Sequence, residues 1–301
     1  MRFLVLILLL LASTAWAGPF EDAQAAVKRF DFATALNILR PLAANGDARA
    51  RTTLGAMYEI GQGVLQDDVE AVKWYQLAAA QGEVWAQVNL GIRYDTGRGV
   101  VQNRAEAVKW FQLAAAQGNP VGQSFLGEMY DQGKGVMQDY SEAMKWYRLA
   151  AAQGIPRAQY SLGNMYRMGQ GVAQDNAEAV KWYRLAAAQG LAQAQVNLGL
   201  MYDQGKGVMQ DYSEAMKWHR LAAAQGLALA QTNLGAMYQN GQGVARDNVR
   251  AHMWYNLGAA SGSAVAVKNR DLVAKLMGPQ QIAEAQKLAR ECQARQFKGC
   301  D

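Results

Sequence analysis

A chain of 301 residues with 30 basic and 25 acidic side chains carries a formal charge of +5, and 51% of its residues are hydrophobic. That composition specifies a folded protein and excludes wholesale disorder. The basic excess is too small and too dispersed for the Lys/Arg stripe of a nucleic-acid binder, and no apolar run reaches the ~20 residues of a membrane-spanning helix.

The chain begins with Arg2, an apolar run from Phe3 to Leu11, and Ala15-Trp16-Ala17 before Gly18. These are the basic, hydrophobic and small-residue parts of a secretory signal over 1–17, with cleavage expected after Ala17 and a periplasmic or secreted location. A membrane anchor is the competing reading, but the run is short for a spanning helix. No Cys follows the cleavage point, so a lipid anchor is not expected there. Residues 18–46 read as N-terminal capping helices that keep part of the pattern of the repeats, in Ala35, Leu39, Leu42, Ala43, Ala44 and Gly46. Pro41 should bend the second of them.

From residue 47 to 262 one unit of 36 residues recurs six times. Leu54, Leu90, Leu126, Leu162, Leu198 and Leu234 are each followed by Gly, and Tyr58 and Trp74 recur in the same register through Tyr238 and Trp254. Residues 131–154 and 203–226 differ only by Tyr147 against His219, which reads as duplication of a two-unit block. Each unit predicts two helices around a Gly-rich turn: Asn119 to Tyr130, then Gly133-Lys134-Gly135-Val136, then Asp139 to Gln153. Asp139 with Glu142 predicts a reciprocal N-terminal cap, repeated by Asp67/Glu70, Asn103/Glu106, Asp175/Glu178 and Asp211/Glu214. Gly82, Gly118, Gly154, Gly190, Gly226 and Gly262 are placed to end the second helices, and Gly127 and its equivalents to let two helices approach closely. A helix pair of this size cannot bury its own apolar face, so the expected fold is all-α, a right-handed α-solenoid of stacked helix pairs.

Residues 263–301 abandon the repeat for C-terminal capping helices and a tail with a net charge of +3. In an oxidising compartment Cys292 and Cys300 would most simply form a local disulfide that pins this tail. A metal site is the alternative, but neither His219 nor His252 lies near them in sequence.

Ala158 to Gly190 reads Ala-x-x-x-Leu-Gly-x-x-Tyr-x-x-Gly-x-Gly-Val-x-x-Asp-x-x-x-Ala-x-x-Trp-Tyr-x-x-Ala-Ala-x-x-Gly. This closely resembles the Sel-one-like repeat family, relatives of the tetratricopeptide repeats from which the longer Gly-x-Gly-Val turn distinguishes it. The resemblance implies an adaptor or scaffold that assembles protein complexes, its first helices lining a concave surface. The cysteines of the disulfide-rich exported branch are missing, so no activity special to that branch is carried over.

The positions that vary between units mark where a partner could bind. Trp85, Val88, Asn89 and Ile92 share one side of a first helix, as do Val121, Ser124, Phe125 and Glu128, then Arg157, Tyr160, Ser161 and Asn164. One reading makes them a groove for a protein or peptide, with Trp85, Phe125 and Tyr160 as aromatic anchors, Glu128 and Arg157 as orienting charges, and Asn89, Ile92 and Asn164 alongside. The other makes Trp85 and Phe125 fillers between repeats. The Trp column reads as packing, with stacking on cell-wall glycan as the alternative. Gly-x-Gly lies between helices with no Lys-Ser/Thr, so it reads as turn geometry and not a phosphate cradle. There is no Gly-x-Ser-x-Gly elbow, no His-Glu-x-x-His and no Cys/His pair at useful spacing. His219 and His252 read as packed imidazoles. The expectation is a non-enzymatic scaffold without a cofactor; a cell-wall-associated enzyme or enzyme regulator that recognises glycan is the alternative.

Overall fold

The computed structural model describes residues 18–300, so the expected signal segment lies outside the described residues. Those residues form sixteen α-helices and no strand. The chain divides into two compact units, one ending at Gln117 and one starting at Gly118. The first contains α1 (Pro19–Lys28), α2 (Phe32–Ala44), α3 (Ala48–Ile60), α4 (Asp68–Ala79), α5 (Val84–Thr96) and α6 (Arg104–Ala116). The second contains α7 (Pro120–Gln132), α8 (Tyr140–Ala152), α9 (Pro156–Met168), α10 (Asn176–Ala188), α11 (Ala192–Gln204), α12 (Tyr212–Ala223), α13 (Ala228–Asn240), α14 (Asn248–Ala260), α15 (Ala264–Ala274) and α16 (Pro279–Ala294). α2 runs through Pro41, which lacks the N–H for one internal bond.

Within each repeat the helix pair closes on one glycine. A Cβ on Gly127 of α7 would stand 2.7 Å from the Tyr147 ring of α8, and Gly55, Gly91, Gly163, Gly199 and Gly235 meet Tyr75, Phe111, Tyr183, His219 and Tyr255 in the same way. The glycine thus seats an aromatic ring against bare backbone, a gain in packing that offsets its ~1 kcal/mol helix penalty. Between repeats the core is shared: Ala143, Met144, Tyr147 and Ala150 of α8 pack with Ala158, Leu162 and Met165 of α9. A leucine as buried as Leu162 contributes roughly 1.5–3 kcal/mol.

Polar groups fix the register. In the turn that joins the two helices of a repeat, the second glycine touches the preceding helix pair at Gly63, Gly99, Gly171, Gly207 and Gly243, and a Cβ on Gly99 (φ 72°) would lie 2.0 Å from the Asp68 carbonyl oxygen. The caps differ from the reciprocal arrangement expected. Asp139 accepts from the Ser141 and Glu142 N–H groups, but its own N–H already donates to the Tyr130 carbonyl at 3.0 Å. Glu142 therefore has no cap donor to accept from and pairs with Lys145; Asp67, Asp175 and Asp211 repeat this, with Glu70, Glu178 and Glu214 on Lys73, Lys181 and Lys217.

A glutamine ladder, absent from the sequence expectations, adds a second register. Buried Gln159 donates to the Ala151 carbonyl at 3.2 Å and accepts from Gln189 at 2.8 Å; Gln195 does the same with Ala187 and Gln225. In the first unit Gln87 bonds Ala79 and Gln117. The ladder stops where Ser261 replaces the next glutamine, leaving Gln231 Oε1 without a partner.

Candidate functional site

In the first unit, α5 presents Trp85, Asn89 and Ile92 on one side, while Val88 from the same expected set is core at 2% exposure. Trp85 is 49% exposed beside a cavity of about 250 Å³ that Phe20, Gln24, Arg49 and Thr52 also line. The wall is held in place: Thr52 donates to Glu83 at 2.8 Å, and the Arg49 guanidinium lies 4.3 Å from the Phe20 ring centre and pairs with Glu21.

One turn further along α5, Arg93 occupies the column that Met57, Met129, Met165, Met201 and Met237 fill elsewhere. It is 5% exposed and bonds Glu59 at 2.6 Å and Asp68 at 3.4 Å. The Tyr75 hydroxyl donates to the other Glu59 oxygen at 2.8 Å, and Arg98 pairs with Asp68. Burial and the Glu59 carboxylate push the Tyr75 phenol far above its ordinary range, so it stays a donor. Sequence reasoning passed over this cluster, although an arginine in a methionine column was the signal.

In the second unit, α7 carries Phe125 and Glu128, and α9 carries Arg157, Tyr160 and Asn164. Phe125 and Tyr160 are half-buried, and Ser124, expected on the open side, is 6% exposed. Glu128 and Arg157, expected to orient a partner, pair with each other at 2.7 Å, and Gln132 donates to the second Glu128 oxygen. Tyr160 lies 6.0 Å from the Tyr183 ring. The Asn164 carbonyl accepts from the Tyr183 hydroxyl at 2.7 Å and from Asn197 at 3.2 Å, while Arg167 donates to that hydroxyl. Asn197 and Arg167 in turn line a cavity of about 330 Å³ with Gln174, Leu200, Gln204 and Lys206. Its lining includes two cations and four amides and no carboxylate, so the next stretch of the face suits an anionic or carbonyl-rich segment.

The Trp column is set differently. Trp74, Trp110, Trp146, Trp182 and Trp218 are half-buried and Trp254 is 2% exposed. The indole N–H groups of all but Trp146 are buried without a partner, and Trp146 donates to Glu142.

Apart from the Arg93 cluster, the buried histidines and the aspartates with raised pKa are dispersed. Burial holds His219 neutral, its pKa depressed to about 4, and burial and Arg270 depress His252. Burial raises the Asp131 and Asp203 carboxyls, but these occupy separate repeats. Among the described residues no group of three His, Cys, Asp or Glu side chains is placed to hold a metal ion, and no helix is long and apolar enough to cross a membrane. Cys292 and Cys300 are joined in a disulfide with Cα atoms 5.2 Å apart.

The Sel1 repeat profile matches residues 48–83, 86–119, 120–155, 156–191, 192–227 and 228–263. Among solved structures, a Sel1 repeat protein from Oxalobacter formigenes is 35% identical, with a TM-score of 0.74 over 80% of this chain and 99% of that one. The protective antigen c5321 of uropathogenic Escherichia coli, which displays an SLR fold, is 27% identical, with a TM-score of 0.57 over 93% of this chain and 78% of that one. No curated protein matches the sequence.

Proposed function

Because the chain belongs to the Sel1 repeat family, whose repeats generally mediate protein–protein interaction and are typically non-catalytic, we propose that it is an exported adaptor holding a protein or peptide partner on the first-helix faces of its repeats. The observation that carries this reading is the contrast between columns. Positions turned toward the second helix are held as Leu, Gly and, except for Arg93, Met, whereas α5, α7 and α9 carry Trp85, Phe125 and Tyr160 among polar groups on the other side. Half-buried aromatics fixed by neighbouring packing make good anchors, since little side-chain freedom remains to be lost on binding. In the second unit the Asn164–Asn197 pair and the cationic cavity beside it favour an extended segment that offers carbonyls or a carboxylate. Export rests on the signal-like segment at 1–17.

Each unit is tested by its own variant. Trp85→Ala in the first and Phe125→Ala in the second are compared with the parent in affinity capture from the cell envelope, with unfolding curves to establish that both variants are folded. A partner retained by the parent and lost from a folded variant supports the reading and assigns the unit. Capture unchanged by both substitutions overturns it, and recovery of glycan in place of protein favours the cell-wall alternative.

A further inference from the structure

The cavity of about 330 Å³ in the second unit occupies the same columns of the repeat as the Arg93 cluster, three units of 36 residues further along the chain. The turn geometry matches as well: a Cβ on Gly207 would meet the Asn176 carbonyl oxygen at 2.2 Å, as one on Gly99 meets that of Asp68. The residues filling the two places differ in charge. In the first unit Glu59 and Asp68 supply two carboxylates to Arg93 and Arg98, so the cluster is neutral. In the second, Arg167 stands in the column of Glu59, Asn176 in that of Asp68, Met201 in that of Arg93 and Lys206 in that of Arg98. Both carboxylates are gone and two cations remain. The Glu59 column is acidic again in Asp95, Asp131 and Asp203 and neutral in Gln239, so Arg167 is its one base.

The protein itself does not neutralise these cations. Arg167 donates through Nε to the Tyr183 hydroxyl at 3.1 Å, and that hydroxyl donates to Asn164, so the guanidinium is anchored on an uncharged partner with both Nη groups left over. Among the described residues no carboxylate forms a salt bridge with Arg167 or Lys206, and both are exposed. The Asn176 and Gln204 amides line the same cavity, and Leu200 and Met201 give the lining an apolar part.

We propose that this cavity takes the side-chain carboxylate of a glutamate or aspartate from an extended segment of the partner, which supplies in the second unit what Glu59 and Asp68 supply in the first. The proposal deepens the adaptor reading and rests on it. Charge-assisted bonds from Arg167 and Lys206 hold the carboxylate, the amides of Asn176 and Gln204 meet the peptide groups, and the ligand's methylenes lie against Leu200. A side chain is favoured over a chain terminus because the carboxylates that satisfy these columns in the first unit are themselves side chains.

The test is isothermal titration of the purified protein with three peptides: acetyl-Ala-Leu-Glu-Leu-Ala-amide, the same peptide with Gln for Glu, and that Gln peptide with a free C-terminal carboxylate. The Glu peptide should bind saturably and about tenfold more tightly than the amidated Gln peptide, an advantage that shrinks as salt is added. Lys206→Gln installs the residue found at Gln62, Gln170 and Gln242, so it should fold as the parent does; it should weaken the Glu peptide about threefold. Arg167→Glu restores the carboxylate of the Glu59 column, which Tyr183 can bond as Tyr75 bonds Glu59, and should abolish the preference for Glu over Gln. No saturable binding, equal affinity for the Glu and Gln peptides, tightest binding of the free C-terminal carboxylate, or a preference unchanged in folded Arg167→Glu would each overturn the proposal. Envelope capture keeps the two readings apart: a partner lost from folded Phe125→Ala but retained by Arg167→Glu leaves the adaptor standing and overturns this site, whereas loss from both folded variants supports both.

Discussion

His219→Tyr should stabilise the protein. The block containing His219 repeats the one containing Tyr147, and in that sibling the phenol hydroxyl bonds Asp131 and Ser161. The equivalent neighbours of His219 are Asp203 and Asn233, and the shorter imidazole leaves a cavity of about 60 Å³ between α11, α12 and α13. Asp203 Oδ1, Asn233 Nδ2 and His219 Nδ1 are buried there without partners. Filling that volume at ~24 cal/mol per Å³ is worth about 1.4 kcal/mol, and a hydroxyl for Asp203 and Asn233 adds on the order of 1 kcal/mol. A gain of about 2 kcal/mol corresponds to a rise in Tm of roughly 4–8 °C.

The same substitution has a pH signature. Burial depresses the pKa of His219 from 6.5 to about 4, so the unfolded chain takes up its proton first as pH falls. The stability held by neutral His219 is complete above pH 6.5 and is lost progressively toward pH 4, up to about 3 kcal/mol. His252 is common to both proteins, so the variant-minus-parent difference should widen between pH 6.5 and 4. Urea unfolding at a series of pH values reads both effects. A variant less stable than the parent at pH 7, or parallel pH profiles, would refute the reasoning.

Three further outcomes follow from the packing. Gly127→Ala drives a methyl into the Tyr147 ring at 2.7 Å and should cost about 1–3 kcal/mol in thermal unfolding, well beyond the helix-propensity gain of the new alanine. Arg93→Met matches the column but strips Glu59 of its buried partner, so chemical denaturation should register a loss of about 3 kcal/mol, most of it regained in Arg93→Met/Glu59→Gln. Reducing Cys292–Cys300 releases a short closed loop worth roughly 2.5 kcal/mol; hydrogen exchange should show faster opening of α16 and of the chain around Phe297, while α7 to α10 are unaffected.

Most of the repeat frame was legible because it rests on residues with few conformational alternatives. The Leu-Gly pairs, the Gly-x-Gly turns and the closing glycines each answer a steric demand that recurs every 36 residues, and recurrence made them visible. What escaped was relational. The glutamine ladder joins residues 30 apart in sequence, and neither member is unusual until both face one buried carbonyl. The second half of the capping box failed because the Asp139 N–H was already committed to Tyr130 across the turn, a bond that no local pattern reveals. Val88 and Ser124 vary among the repeats yet are buried, since sequence variation in a solenoid also tracks the changing neighbour in the next repeat. Glu128 and Arg157 looked like two separate charges, but they lie on neighbouring first helices, α7 and α9, and meet across them.

The central claim, that the first-helix faces hold the partner, is tested most directly by position-specific photocrosslinking in the living cell. A crosslinking side chain is installed at Arg157 on α9 and, as a control, at Leu185 on α10, both exposed. The account predicts a discrete adduct with one protein from position 157 and none from position 185. Adducts from position 185 alone, or of equal yield from both positions, would contradict it.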